Sequence, residues 1–270
     1  MNSTRRLVLS ALATSMLLVA CGKKEEAPAP AAQPAPAANA PAAVKTYKVG
    51  SDASYAPFES ETADKKVVGF DVDVLTAAGE KAGFKVEFIN TPWEGIFNTL
   101  GTGDRDIVAS AVTITDERKQ TMDFSEPYFE AKQLIAVPEA SKVSKADDLK
   151  DKKVGVQTGT TGDEVVQKIL GKTSPNIKRF ESTPLAIKEL QNGGVDAVVA
   201  DNGVVINFVA NNPDAKLKIV EDAGFAKEYY GYAVKKGNTE VANKVSEGIK
   251  AIKADGTYDK IFAKYFGAKK

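Results

Sequence analysis

The sequence predicts an α/β fold built from two similar lobes. Apolar runs with strand character alternate with amphipathic helical runs from residue 46 onward, the pattern of largely parallel sheets flanked by helices. A helix-turn-strand unit is written twice, and polar groups gather just past strand ends in both halves, where open α/β sheets bind ligands.

Ahead of the fold, Arg5 and Arg6 precede an apolar run over residues 7–20. The run is too short and wrongly flanked for a spanning helix, so residues 1–20 read as an export signal. It ends in Leu18-Val19-Ala20-Cys21, which resembles the lipobox of bacterial lipoproteins. That resemblance implies cleavage before Cys21, lipid attachment to it, and an extracytoplasmic life anchored to a membrane. A free cysteine after an ordinary signal is the alternative. Residues 21–45 continue as a charged patch and a Pro/Ala-rich run that can bury nothing, a semi-extended tether.

Composition narrows the chemistry. Lys and Arg total 36, as do Asp and Glu, so no net field favours nucleic acid. One cysteine and no histidine remove disulfides, Ser-His and Cys-His nucleophiles, and the usual zinc sets. No cofactor or metal is expected, and carboxylates, Lys, Tyr and hydroxyls are the only catalysts left.

Strands are expected at 47–51, 85–89, 106–112, 133–137, 153–157, 177–180, 196–200, 217–220 and 230–234. A helix over 70–81 sets Val74, Leu75 and Ala78 on one face and stops at Gly83. Another over 239–254 repeats Val241, Val245, Ile249 and Ile252 at helical spacing, Asp255-Gly256 breaks it, and 258–266 closes the chain with an aromatic face. In the repeat, Leu100, Gly103, Asp106 and Val108 recur in the same order and spacing as Leu190, Gly193, Asp196 and Val198. Thr91-Pro92 and Thr183-Pro184 precede the two copies, and Lys48-Val49-Gly50 opens one half as Lys153-Val154-Gly155 opens the other. Two lobes facing each other across a cleft follow from such a repeat.

The strand at 106–112 runs into Ser110-Ala111-Val112-Thr113-Ile114-Thr115-Asp116-Glu117-Arg118. Unpaired amides at a helix start, with a guanidinium beside them, make a seat for a carboxylate or phosphate. A solvated Arg118 in a helix capped by Thr115 reads equally well. From the other half, Thr160 and Thr161 would add amides and a hydroxyl, although Thr161-Gly162-Asp163-Glu164 is also a capping box. Asp201 either pairs with a ligand ammonium or caps a helix over 203–210. Asp52 touches the far end of a ligand or forms an Asx-turn into Ser54. Tyr55 and Trp93 wall a flat or cationic group, or belong to the core. Gln157 bonds a ligand or faces solvent.

Ser54-Tyr55-Ala56-Pro57-Phe58-Glu59, Val68-Gly69-Phe70-Asp71-Val72-Asp73, Thr113-Ile114-Thr115-Asp116-Glu117-Arg118, Asp123-Phe124-Ser125 and Asp255-Gly256-Thr257-Tyr258 resemble, in order and spacing, the polar amino-acid branch of bacterial extracellular solute-binding proteins, the receptors of ABC importers. The resemblance implies a two-lobed periplasmic-binding-protein fold, each lobe a mixed, mostly parallel sheet flanked by helices. Two hinge strands near Lys132 and Tyr230 would join lobe 1, at 46–131 and 230–270, to lobe 2, at 132–229. It further implies that Arg118 and the Thr113 amide hold an α-carboxylate, helped by Thr160 and Thr161. The ammonium would go to the Ala111 carbonyl, the Thr113 hydroxyl and Asp201, while Ser110, Asp52, Tyr55, Trp93 and Gln157 shape the side-chain pocket. The partners implied are a free L-amino acid and an importer permease.

Gln157 and Ala200 stand where glutamine receptors commonly place a lysine and a histidine, so Asp52 has no cation to balance it. Arginine, lysine or ornithine is therefore expected first, then glutamine. An enzyme on the same scaffold, of the periplasmic dehydratase kind, would need a carboxylate or lysine poised in the cleft with a shifted pKa, and no such pair is visible in the sequence.

Overall fold

The computed structural model describes residues 44–267. The export signal, Cys21 and nearly all of the tether lie outside them. In chain order the elements open with β1 (Thr46–Ser51), β2 (Ser54–Tyr55), β3 (Glu59–Glu61), β4 (Val67–Val68), α1 (Phe70–Ala82) and β5 (Lys85–Asn90). Next come α2 (Asn98–Thr102), β6 (Ile107–Val108), α3 (Asp116–Thr121), β7 (Met122–Phe124) and β8 (Phe129–Pro138). The middle of the chain forms β9 (Val154–Gln157), α4 (Thr161–Leu170), β10 (Ile177–Phe180), α5 (Thr183–Gln191), β11 (Ala197–Asp201), α6 (Asn202–Asn211) and β12 (Leu217–Val220). It closes with β13 (Lys227–Tyr230), β14 (Ala233–Lys235), α7 (Thr239–Ala254) and α8 (Thr257–Phe266).

Two large sheets organise these elements into two lobes. The first runs β5-β1-β6-β14-β7, and the second runs β10-β9-β11-β8-β12 with β13 added on β8. Parallel pairing stops at three strands in each, β5-β1-β6 and β10-β9-β11; the other pairs are antiparallel. The sheets are therefore mixed, with less parallel character than expected. β8 and β13 pair from Lys227↔Lys132 to Tyr230↔Phe129, and β8 then continues into the second sheet. These are the two crossing strands between the lobes.

The sequence repeat has a structural counterpart. Asp106 Oδ2 accepts the Lys48 amide at 2.8 Å while its own amide donates to the Lys48 carbonyl at 2.9 Å. Asp196 repeats both bonds with Lys153, each at 2.8 Å. Gly103 and Gly193, at φ 82° and 77°, supply the left-handed residue that turns each helix back toward its strand.

Two expected strands are shorter or broken. The run 106–112 forms ladder pairs only at Ile107–Val108, because Ala111 turns to φ 47° and gives its amide to Asp71 Oδ2 at 2.8 Å. The run 230–234 splits at Gly231-Tyr232, whose amides bond Val112 O and Ser125 Oγ, both at 3.0 Å. The small antiparallel sheet β2-β3-β4 was not anticipated, since its strands are too short to show alternation.

The first core sits under α1 and α7. Val74, Leu75 and Ala78 face Val245, Ile249 and Ile252 in one buried cluster, as the spacing predicts. The helices approach so closely that a Cβ on Gly248 would lie 2.3 Å from the Ala78 carbonyl oxygen.

Candidate functional site

Loops at the strand ends of both lobes converge on one cleft lined by Asp52, Tyr55, Trp93, Ser110, Ala111, Thr113, Arg118, Gln157, Thr160, Thr161 and Asp201. Every residue singled out from the sequence as a ligand contact lines it. Only about 20 Å³ of free cavity volume remains in the cleft, well below a typical small-ligand pocket.

Arg118 is its cation. Thr115 caps α3 by accepting the Arg118 amide at 3.1 Å, so the cap reading holds for the backbone. The partly exposed side chain turns into the cleft: NH1 donates to Thr113 O at 2.9 Å and NH2 to Gly159 O, in the other lobe, at 3.3 Å. The guanidinium lies 5.4 Å from the ring centroids of both Trp93 and Phe97, and burial holds its pKa below the usual range. Among the described residues no carboxylate forms an ion pair with it. Two carbonyls use two of its five N–H donors, leaving a fork able to grip an anion. The helix start contributes less than expected, since one of its amides is already capped.

The Thr160-Thr161 corner is shifted by one residue from the expected capping box. Thr160, not Thr161, caps α4, accepting from the Asp163 amide at 3.2 Å. Asp163 turns to Arg179 at 2.9 Å and to the Gly159 amide at 3.2 Å rather than closing a box. With the Asp163 and Glu164 amides both bonded to Thr160, the Thr161 and Gly162 amides of α4 are left at the helix start. Thr161 is thereby released into the cleft, where its hydroxyl donates to Glu228 Oε2 at 2.7 Å.

Asp201 stands at the start of α6, yet its carboxylate makes no capping bond. It accepts instead from Tyr55 OH at 2.8 Å, Tyr230 OH at 2.5 Å, and Gln133 Nε2. Burial, reinforced by the Glu228 charge, raises its pKa to about 6. The polar cradle explains why a carboxylate sits there at all, because a buried charge without such partners would be expelled.

At the opposite end, Asp52 accepts from Ser54 Oγ at 2.9 Å, a side-chain contact in place of the expected Asx-turn because the Ser54 amide goes to the Asp52 carbonyl, and from Gln157 Nε2 across the cleft at 3.0 Å. Burial raises its pKa against those hydrogen bonds. Gln157 is only 4 % exposed, which removes the solvent reading. Its amide also donates to Glu181 O at 3.1 Å and accepts from Thr183 Oγ1 at 3.1 Å. Tyr55 is buried against Phe58 while its hydroxyl reaches the site, so wall and core readings both apply. The cleft thus contains two carboxylates with raised pKa, a feature the sequence did not reveal.

Behind Ser110 and Ala111 lies a buried carboxyl pair. Asp71 Oδ2 holds the Ala111 amide and the Tyr128 hydroxyl, at 2.8 and 2.6 Å, and Glu59 Oε1 accepts from Ser110 Oγ at 3.3 Å. Burial drives the Glu59 pKa well above its usual value, with the Asp71 charge adding to the rise, and Asp71 to about 7. The pair props the backbone that presents the Ala111 carbonyl.

Gln133, Glu228 and Tyr230 were missed. Glu228 and Tyr230 alternate onto one face of β13, half-buried and buried beside exposed Lys227 and Tyr229. That alternation is the signal the sequence carries, obscured because the expected strand begins only at Tyr230.

Comparison with known proteins places this geometry among binding proteins. A "Probable histidine-binding protein" from Neisseria gonorrhoeae is 48% identical over 97% of this chain and 96% of its own. The solved structure of the arginine-, lysine-, histidine-binding protein ArtJ from Geobacillus stearothermophilus matches with a TM-score of 0.80 and 48% identity, over 84% of this chain and 97% of that one. An ancestral arginine-binding protein bound to glutamine matches at 0.76 and 44%, over 82% and 98%. The model of the bacterial extracellular solute-binding proteins, family 3, spans residues 47–268, and it is to that family that the chain belongs.

Proposed function

We propose that the chain is an extracytoplasmic receptor that closes two lobes on a basic L-amino acid and delivers it, chemically unchanged, to an ABC importer. One observation carries the reading. A guanidinium without a carboxylate partner among the described residues shares a small cleft with Asp201 and, at the far end, with Asp52. Arg118 and the adjoining amides suit an α-carboxylate, Asp201 suits the ammonium, and Asp52 suits a second cation on the side chain. The relatives named for histidine, and for arginine, lysine and histidine together, support a basic amino acid; arginine, lysine and ornithine are the ligands expected first. Glutamine is the second reading, favoured by the Gln157-Asp52 pair, which offers a donor and an acceptor to a side-chain amide.

The lobes are taken as 46–131 with 230–270, and 132–229, hinged on β8 and β13. The lipobox supports anchoring through lipid on Cys21. Replacing Cys21 by Ser is expected to release the protein from the membrane fraction.

A thermal-shift screen of the twenty amino acids with ornithine and citrulline tests the central reading, since a ligand bound only by the native state raises the melting point with its affinity. Basic amino acids should give the largest shifts, and mass spectrometry should recover them unaltered. Largest shifts from glutamate or aspartate would overturn the ligand class, and an altered mass would overturn the receptor reading in favour of an enzyme.

A further inference from the structure

Glu228 projects from β13 and joins three groups that the cleft brings together. Its Oε2 accepts from the Thr113 hydroxyl at 2.9 Å and from the Thr161 hydroxyl at 2.7 Å, while Oε1 accepts from Gln133 Nε2 at 3.2 Å. A threonine hydroxyl has one proton to give. Both protons point to the same carboxylate oxygen, so the 3.5 Å approach of Thr113 Oγ1 to Thr161 Oγ1 leaves two oxygens that face the cleft with lone pairs alone. Gln133 Nε2, with two protons to share among three acceptors, lies on the other side, 3.2 Å from Thr161 Oγ1 and bonded to Asp201.

We propose that Glu228 is a positioning residue that sets hydrogen-bond polarity in the cleft, making Thr113 Oγ1, Thr161 Oγ1 and Asp201 an acceptor-only seat for the ligand's ammonium. The proposal rests on the amino-acid reading above. It gives Thr161 a part different from the one read from the sequence, where its hydroxyl helps hold an anion: its hydroxyl proton belongs to Glu228, and only its amide remains for an anion. A ligand bringing a donor-rich ammonium satisfies every lone pair in the seat, whereas a ligand lacking it leaves the acceptors facing one another. Glu228 thereby discriminates amino acids from their deaminated counterparts without touching the carboxylate end.

The test is calorimetry at neutral pH with L-arginine and with 5-guanidinopentanoate, the same molecule without its α-ammonium. The wild type, Glu228→Gln, Thr161→Val and Thr161→Ser are compared. Glu228→Gln frees one or both hydroxyl protons, and the arginine-to-analogue affinity ratio should shrink about tenfold or more. Thr161→Val should shrink it as well, and Thr161→Ser, which keeps the hydroxyl, should preserve it. A role limited to tying the lobes together predicts instead that both ligands weaken equally. An unchanged ratio in Glu228→Gln would overturn the proposal. Should that variant not fold, an unchanged ratio in Thr161→Val would do the same. A wild type that binds no amino acid would overturn the receptor reading and the seat together, while arginine binding with an unchanged ratio overturns the seat alone.

Discussion

The Gln157 amide donates to the Asp52 carboxylate from the opposite lobe, with Nε2 3.0 Å from Oδ2. It is a neutral partner, and it leaves the Asp52 charge uncompensated at the end of the cleft away from Arg118. Asp52→Asn keeps the shape and removes that charge, so affinity for arginine or lysine should fall about 10- to 100-fold, the range for a hydrogen bond to a charged group. Glutamine should be affected less. Gln157→Lys should reverse the order of ligands by placing a cation beside Asp52. Calorimetric titration with arginine and glutamine measures both effects, and an unaltered preference in Asp52→Asn would show that the side chain is read elsewhere.

Arg118→Ala and Asp201→Ala should each abolish detectable binding while thermal melting stays cooperative. Neither side chain belongs to an apolar core cluster. Removing either one leaves the ligand's opposite charge desolvated without a partner, a loss of about 2–5 kcal/mol. Tight binding by either variant in the same calorimetric assay would remove that residue from the clamp.

The lobes and the cleft residues were legible because two signals agreed. The Leu100–Val108 and Leu190–Val198 copies carry aspartates whose paired bonds to Lys48 and Lys153 are the same local device, so sequence spacing recorded geometry directly. Helices α1 and α7 were legible because one face of each is apolar at helical spacing. What remained hidden depends on contacts made across the chain. Asp201 looked like a helix cap because Asp-Asn-Gly favours one locally, yet Tyr55 and Tyr230 draw its carboxylate into the cleft. The strand through Ser110 looked continuous because nothing local reveals that Asp71, far earlier in the chain, captures the Ala111 amide.

The crossing of α1 and α7 offers a test of packing separate from the site. A Cβ on Gly248 would lie 2.3 Å from Ala78 O, inside any permitted contact, and the obstacle is backbone rather than a movable side chain. Gly248→Ala should therefore cost about 1–3 kcal/mol by forcing the helices apart, despite the better helix propensity of alanine. Urea denaturation should show a lower midpoint. Arginine affinity should change little, because neither helix contributes a residue to the cleft.

Stability should fall as pH rises from about 4 to about 7, the reverse of ordinary acid denaturation. Burial raises Asp71 to about 7 and Asp201 to about 6, from an ordinary value of 3.8, and lifts Glu59 well above its own ordinary value. Through this window the unfolded chain releases protons that the folded chain retains. Folding therefore loses stability with increasing pH, at up to about 1.4 kcal/mol per pH unit for each proton retained. The contribution of Asp201 levels off above pH 6 and that of Asp71 above 7, and Glu59 acts in the same direction. Surface carboxylates with lowered pKa, such as Asp123 beside Lys236 and Asp147 beside Lys150, act in the opposite sense, but below about pH 4, and solvent screening weakens them. Urea unfolding free energies measured without ligand between pH 4.5 and 7.5 should decline, and Asp71→Asn, which cannot ionise, should flatten the slope. A free energy that climbs across this interval would mean that burial does not keep Glu59 and Asp71 protonated in the folded chain.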